Sequence, residues 1–227
     1  MIEEYVHFAS DDLNLEGVLT YNGVSQSSPS ILLCAPHPIL GGNMDNNVIM
    51  SLAQMSVQMG FMSLRFNYRG VGNSESREKD IVQRNQRWED SLHGEGYLDA
   101  FNDVQAALNF LISQTDRDEI FIAGYSFGAV VGMRVGMENS HVKALASISV
   151  PFGPYNLDFL RHCKKEKLFL YSENDFAVTT GETLKGFLEI SSPKILELVQ
   201  GTDHFYRGYE DYVSQKICKF FISHTQQ

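Results

Sequence analysis

The chain of 227 residues carries 28 acidic residues against 18 lysines and arginines, so its formal net charge is −10 at pH 7. This balance, with no basic run, argues against nucleic-acid binding, because phosphate contacts need clustered cations. The hydrophobic fraction of 43% and the charged fraction of 20% are ordinary for a globular protein, and the length favours a single domain over residues 1–227.

The first predicted elements are two strands that form an antiparallel hairpin. Residues 5–8 and 15–20 are rich in strand-forming side chains, and a polar turn at 10–12 separates them. The next predicted strand is the apolar run 31–35, whose continuous hydrophobicity is typical of a buried parallel strand.

A glycine-rich loop over 36–46 leads into a predicted helix near 47–59, which Gly60 ends as a C-terminal cap. Residues 61–66 form the following predicted strand, and a loop over 67–74 comes after it.

Residues 75–96 are the least regular part of the sequence. Arginines and acids are interspersed there around Trp88, so a solvated charged face is the default interpretation. A lid, a partner surface and a flexible insertion are the alternatives.

The second half alternates helices and strands. Helical periodicity resumes over 97–111, where one apolar face is predicted to contain Leu98, Phe101, Val104, Ala107, Leu108 and Leu111. Later strands are expected at 120–123, 144–150, 168–171 and 195–199, and helices near 128–137, 180–190 and 208–223. This alternation predicts an α/β fold, a three-layer sandwich around a mostly parallel twisted sheet, with the antiparallel hairpin at its N-terminus.

The segment Gly124-Tyr125-Ser126-Phe127-Gly128 lies between a predicted strand and a predicted helix. Strand, Gly-x-Ser-x-Gly and helix together indicate a nucleophile elbow, in which the serine occupies a tight strained turn between two glycines. The start of the helix offers unpaired N–H groups to a developing oxyanion. A tight turn without chemistry is the alternative, because the short pattern also arises by chance.

A serine nucleophile needs a histidine base and a carboxylate that orients the histidine. Residues that follow parallel strands meet at one edge of the sheet. Asp175 follows the strand at 168–171 and His204 follows the strand at 195–199. We therefore predict a triad of Ser126, Asp175 and His204, in the chain order serine, acid, histidine.

Glu173 and Asp203 are rival carboxylates for this triad. We prefer Asp175, because Asp203 is the immediate neighbour of His204 in the chain and Glu173 lies close to the strand end. If the chain has no triad, the alternative interpretation is that His204 is a loop histidine without a role and that Asp175 caps a helix or forms a turn.

An oxyanion hole needs two N–H donors. The backbone of Phe127, which follows the nucleophile, is the first predicted donor. The second is expected from the loop after the third strand, whose two prolines have no N–H, so Ile39 is preferred and His37 is the alternative. His37 and Tyr125 are also pocket candidates, and a structural, hydrogen-bonded role for His37 stays open.

Four motifs occur in order along nearly the whole chain: a Pro-His-Pro-x-x-Gly-Gly loop from Pro36, the loop at 65–74, the Gly-Tyr-Ser-Phe-Gly elbow, and Thr202-Asp203-His204-Phe205. With these motifs the chain resembles the α/β-hydrolase superfamily, and within it a compact bacterial-type group. The resemblance implies serine-hydrolase chemistry with the same triad, without naming a substrate. The long charged segment at 75–93 departs from the short link usual in that group.

We therefore predict a serine hydrolase, carboxylesterase-like, that cleaves an ester, thioester or similar acyl bond of a small molecule through an acyl-enzyme. A non-catalytic hydrolase-fold protein that binds a ligand or partner is the main alternative, and a small peptidase is a third. No cofactor and no metal site are expected, since His37, His93 and His204 do not fall at ligand spacings.

The three cysteines, Cys34, Cys163 and Cys218, fit no zinc or CxxC pattern, so reduced thiols in a cytoplasmic protein are expected. The acidic N-terminus has no apolar h-region, so no signal peptide is expected. No apolar run approaches the roughly 20 residues that cross a bilayer. The oligomeric state stays open.

Overall fold

The structure of the chain is a computed structural model that describes residues 1–23, 28–92 and 97–225. The strands of these ranges are β1 (Ile2–Ser10), β2 (Leu13–Tyr21), β3 (Ser30–Cys34), β4 (Met62–Phe66), β5 (Ile120–Tyr125), β6 (Val142–Ile148), β7 (Glu166–Asn174) and β8 (Ile195–Asp203). The α-helices of these ranges are α1 (Asn47–Gln58), α2 (Ile81–Ser91), α3 (Leu98–Ser113), α4 (Phe127–Glu138), α5 (Thr180–Glu189) and α6 (Glu210–Ile222).

The strands form one sheet in the order β1-β2-β4-β3-β5-β6-β7-β8. β1 and β2 are an antiparallel hairpin, and β2 also runs antiparallel to β4. Every other pair of neighbours is parallel. The predicted N-terminal hairpin and mostly parallel sheet are therefore confirmed. Because β3, β5, β7 and β8 run in the same direction, the residues that follow them meet at one edge of the sheet.

Helices cover both faces of the sheet, and two neighbouring residues of β5 show this. The ring of Phe121 stacks on that of Phe221 in α6, with centroids 4.8 Å apart. The next side chain, Ile122, faces α4, where a Cβ on Gly132 would lie 3.0 Å from it. Successive side chains of a strand point to opposite faces. α4 and α6 therefore lie on opposite faces, and the predicted three-layer sandwich is confirmed.

Most predicted elements are present with shifted ends. β7 and β8 reach Asn174 and Asp203, so that Asp175 and His204 follow these strands directly. On α3 the prediction for Leu98 was wrong, because this side chain is 70% exposed. The buried face of α3 includes Ala100, and a residue two positions earlier in a helix lies on nearly the opposite side.

The described part of the segment at 75–96, residues 75–92, is more regular than its sequence indicates, because it contains α2. Asp80 caps this helix by accepting a hydrogen bond from the N–H of Val82. Only Trp88 and Ser91 are buried on α2, so it lacks the apolar stripe by which a helix is recognised in a sequence. Residues 93–96 of this segment, for which a lid was one alternative, lie outside the described residues.

A buried carboxylate on the hairpin organises the loop at 67–74. Glu16 accepts hydrogen bonds from the Asn67 side chain at 2.7 Å and from the backbone and side chain of Asn73 at 2.7 and 2.9 Å. Asn67 in turn accepts from the backbone of Met44 at 2.8 Å. Gly72 is required beside this carboxylate, since a Cβ there would lie 2.2 Å from an oxygen of Glu16. The Asn67 side chain thus connects the loop that starts at Pro36 to the loop at 65–74, which are two of the four sequence motifs.

A second buried carboxylate connects the same loop to α3. Asp103 is fully buried and accepts from the backbone N–H and the guanidinium of Arg69, at distances between 2.7 and 3.1 Å. Burial alone would lower the pKa of Arg69, but its pairing with Asp103 raises the pKa above the ordinary value. The Arg69 guanidinium therefore stays charged inside the protein.

We expect Glu16→Gln to lower the free energy of unfolding by about 2 kcal/mol at pH 7, because a charged acceptor of three hydrogen bonds is lost. Burial raises the pKa of Glu16, but the hydrogen bonds from Asn73 and Asn67 outweigh it and hold the pKa below the usual value. The contribution is therefore complete above the unfolded pKa of about 4.3 and is lost as the pH falls through the lower folded pKa.

Urea denaturation of both proteins at pH 7 and at pH 3.5 measures this difference. Glu138→Gln, at an exposed position on α4, is the matched control and should change stability by less than about 0.5 kcal/mol. An equal difference between wild type and Glu16→Gln at both pH values would contradict the assignment.

Candidate active site

Ser126 lies in the turn between β5 and α4, in a strained backbone conformation. Its φ is 53° and its ψ is −120°, values that few residues other than glycine adopt. The N–H of Ser126 donates to the carbonyl of Ile148 at the end of β6, at 2.8 Å, and this bond fixes the turn to the sheet. The side chain stands at the sheet edge, where the loops after the neighbouring strands converge.

Both glycines of the elbow are required by close backbone contacts. A Cβ on Gly124 would lie 2.3 Å from the carbonyl oxygen of Gly128, and one on Gly128 would lie 2.1 Å from the carbonyl oxygen of Cys34. The first turn of α4 therefore rests directly on the end of β3. The start of α4 therefore lies beside the point where the loop after β3 begins.

Asp175 and His204 are brought together by the register of the last two strands. Asn174 pairs with Asp203 in the sheet, so the next residue of each strand emerges at the same level. Nδ1 of His204 lies 2.8 and 2.9 Å from the two carboxylate oxygens of Asp175, and both side chains are buried. This is the geometry by which a carboxylate fixes the tautomer of an imidazole.

Further groups hold the Asp175 carboxylate in its charged form. The backbone N–H groups of Ala177 and Val178 donate to one oxygen at 2.9 and 3.2 Å, and the hydroxyl of Ser172 donates to the other at 3.0 Å. Burial alone would raise the pKa of Asp175, but the hydrogen bonds from His204, Ser149 and Ala177 hold it below the ordinary value. The side chain is therefore ionised at neutral pH.

Tyr125, a predicted pocket candidate, connects the elbow to His204. Its hydroxyl donates a hydrogen bond to the backbone carbonyl of His204, and the two ring centroids are 5.5 Å apart. Because Tyr125 precedes Ser126 in the chain, this contact holds the histidine loop against the elbow.

The rival carboxylates are engaged elsewhere. Glu173 accepts from the backbone N–H of Gly201 at 2.9 Å, and Asp203 accepts from the backbone N–H of Phe205 at 2.9 Å. Glu173 therefore binds the last part of β8 and Asp203 shapes the loop after it, whereas Asp175 contacts the ring of His204.

Sequence reasoning missed two residues that support the acid. The hydroxyls of Ser149 and Tyr206 lie 2.7 Å apart, and both residues have positive φ values, of 44° and 53°. Burial raises the pKa of Tyr206, so its phenol stays protonated beside the carboxylate. No local pattern marks these positions, because neither serine nor tyrosine predicts a positive φ.

His37, the second pocket candidate, uses both ring nitrogens in structural hydrogen bonds. Nδ1 accepts from the N–H of Ile39 at 3.3 Å, and Nε2 lies 2.7 Å from the hydroxyl of Ser91 on α2. That hydroxyl already donates to the carbonyl of Trp88, so Nε2 of His37 is the donor. Burial lowers the pKa of His37 to about 4, in agreement with this neutral tautomer. His37 therefore connects the loop after β3 to α2.

This arrangement bears on the two predicted sources of the second oxyanion donor. The N–H of Ile39, the preferred donor, points to the ring of His37. The backbone N–H groups of His37 and Phe127 donate to no protein acceptor within the described ranges. The carbonyl of His37 accepts from Leu40 and Gly42, each at 3.0 Å, and these bonds curl the loop around its own backbone.

The ring of Phe127 anchors an aromatic cluster that joins α2 to the elbow. Its centroid lies 5.0 to 6.2 Å from five other rings: His37, Tyr68, Trp88, Tyr97 and Tyr155. These separations lie in the range of favourable edge-to-face contacts. α2 thus forms a packed wall beside the elbow.

In the described parts of the chain, no group of three or more His, Cys, Asp or Glu side chains is arranged as a metal site. Nor is any helix there long and apolar enough to cross a membrane. The three cysteines are buried and unpaired. Burial raises the pKa of the Cys218 thiol to about 11, which leaves it protonated at neutral pH.

No family model matches this sequence. Among curated protein sequences, an uncharacterized protein of Rickettsia prowazekii (strain Madrid E) is 26% identical over an alignment 227 residues long. The alignment covers 96% of this chain and 88% of that protein. Among solved structures, an α/β serine hydrolase homologue from Coxiella burnetii matches with a TM-score of 0.79 and 25% identity, over 97% of this chain and 98% of that chain.

A putative α/β hydrolase from Agrobacterium tumefaciens, a protein of unknown function, matches with a TM-score of 0.77 and 25% identity, over 96% of this chain and 95% of that chain. The fold is therefore that of the α/β hydrolases. These likenesses support the superfamily that the sequence motifs resemble, and they support a hydrolase.

We expect Gly128→Ala to lower the free energy of unfolding by about 3 kcal/mol, because the added methyl group collides with backbone atoms that cannot move aside. Thermal unfolding followed by circular dichroism measures the change. Gly181→Ala is the matched control, because a Cβ there meets nothing closer than 3.9 Å and the residue lies in the first turn of α5. The control should be neutral or stabilising, and equal behaviour of the two variants would contradict the close contact at Gly128.

Proposed function

We propose that this protein is a serine hydrolase that cleaves an ester, thioester or similar acyl bond of a small molecule. In this proposal Ser126 is the nucleophile, His204 the general base and Asp175 the residue that orients the histidine. The observation that carries it is the paired contact of Asp175 with Nδ1 of His204, at the sheet edge where Ser126 occupies a strained elbow.

The chemistry follows from these positions. Oγ of Ser126 attacks the carbonyl carbon while Nε2 of His204 accepts its proton. The bond from carbon to the leaving oxygen or sulfur then breaks, and His204 donates the proton to the departing alcohol or thiol. A water molecule attacks the acyl-enzyme by the same sequence, releases the acid and restores Ser126. Asp175 remains ionised throughout and stabilises the imidazolium.

For the oxyanion we propose the backbone N–H groups of Phe127 and His37. Both are without a protein acceptor in the described chain, and they lie on segments that the contact at Gly128 presses together. The N–H of Ile39 is a weaker candidate than the sequence predicts, because it must first leave the ring of His37.

We expect a fluorophosphonate probe to label Ser126 in the wild-type protein and not in Ser126→Ala. Hydrolysis of activated esters should fall by about 10⁴-fold or more in this variant, because the nucleophile is absent. Mass spectrometry of the labelled peptide and initial rates measure the two effects. A ligand-binding protein without catalysis would show neither labelling nor turnover, and peptide cleavage in preference to esters would favour the peptidase.

A matched pair of acid variants tests the role of Asp175. Asp175→Asn should reduce kcat by about 10⁴-fold, because the amide favours the wrong tautomer of His204. Asp203→Asn, at the neighbouring rival carboxylate, should retain most of the activity. The reverse ranking would assign the acid to Asp203.

The oxyanion donors can be located by a crystal structure of the phosphonylated protein. The phosphonyl oxygen should lie within about 3.1 Å of the backbone nitrogens of Phe127 and His37. A contact to the nitrogen of Ile39 in place of His37 would reject our choice and support the sequence-based one.

A further inference from the structure

Two exposed aromatic side chains flank His204. Phe176 follows Asp175 in the chain and is 65% exposed, and Phe205 follows His204 and is 42% exposed. Their rings stack on each other with centroids 5.4 Å apart and an angle of 29° between the planes. The ring of His204 lies 5.0 Å from that of Phe176 and 6.2 Å from that of Phe205.

Exposure of single apolar side chains is ordinary and indicates nothing by itself. These two side chains differ from other exposed apolar residues in their position, because both rings contact the ring of His204, the proposed base. The guanidinium of Arg207 lies over the ring of Phe205, 5.2 Å from its centroid, and covers part of it. Most of the uncovered aromatic surface beside His204 therefore belongs to Phe176.

On the opposite side of the elbow, the aromatic rings of the described residues offer no comparable exposed surface. Phe127 is 1% exposed and Trp88 is 9% exposed, and both are packed within the aromatic cluster described above. An apolar group of a substrate therefore finds open aromatic surface on the histidine side.

In the proposed reaction, the leaving group of the substrate lies on the side of the site that carries His204. His204 donates its proton to the departing alcohol, so the leaving oxygen lies close to Nε2 at that step. Groups attached to that oxygen extend toward the side chains that flank the imidazole. We propose that Phe176, with Phe205 behind it, forms a leaving-group subsite that favours esters whose alcohol carries a planar aromatic ring. This inference rests on the proposed function and adds the substrate class.

The test compares esters of one acid with three alcohols: benzyl, cyclohexylmethyl and ethyl. Wild type should have the highest kcat/KM for the benzyl ester. Phe176→Ala should lower that value by about tenfold, lower the cyclohexylmethyl value less and leave the ethyl value unchanged, because stacking and apolar contact are lost together. Hydrolysis of the acyl-enzyme should keep its rate, since the alcohol has left by then.

Tyr5→Ala is the matched control, because Tyr5 is an aromatic residue at least as exposed as Phe176, at 75% against 65%, on the distant edge strand β1. Thermal midpoints of all variants should agree with wild type. An equal fall for all three alcohols, or a change that follows the acyl group, would overturn the subsite and leave the proposed reaction standing. Absence of both turnover and Ser126 labelling in wild type would instead overturn the proposed function.

Discussion

The contact between the first turn of α4 and the end of β3 is the constraint on which the candidate site depends. At Gly128 the two backbones approach so closely that a methyl group cannot enter. The contact lies two residues after the strained Ser126 and places the start of α4 against the end of β3. The register of β7 and β8 is the second constraint, because the pairing of Asn174 with Asp203 places the acid and the histidine at the same level of the sheet.

Around this centre, buried polar groups organise the loops from a distance. Glu16 on the hairpin holds the loop at 67–74 through Asn67 and Asn73, and Asp103 on α3 holds it through Arg69. Hydrogen bonds to buried charged groups are stronger than those between neutral groups, and breaking one leaves an unpaired charge. The hairpin, which lies far from the candidate nucleophile in the chain, is thus part of the scaffold that shapes its surroundings.

The parts predicted from the sequence are those with a local signature. Continuous apolar runs identified β3 and β5, and alternating elements predicted the sheet. Of the three residues selected by their chain order, Asp175 and His204 are in contact, and Ser126 occupies the strained turn after β5. Other features have no local signature: α2 buries only two side chains, and the support from Ser149 and Tyr206 depends on tertiary contacts. The hydrogen bond that occupies Ile39 likewise depends on the orientation of the His37 ring.

The imidazole of His37 connects two segments, because Nδ1 accepts a hydrogen bond from its own loop and Nε2 donates one to Ser91 on α2. This sharing restricts how the region can diverge among relatives. Ser91 must keep its place one helical turn after Trp88, because the hydroxyl that accepts from Nε2 of His37 also donates to the Trp88 carbonyl, and an insertion between these two residues would separate them. A larger covering domain that evolved at this point would have to retain that single helical turn.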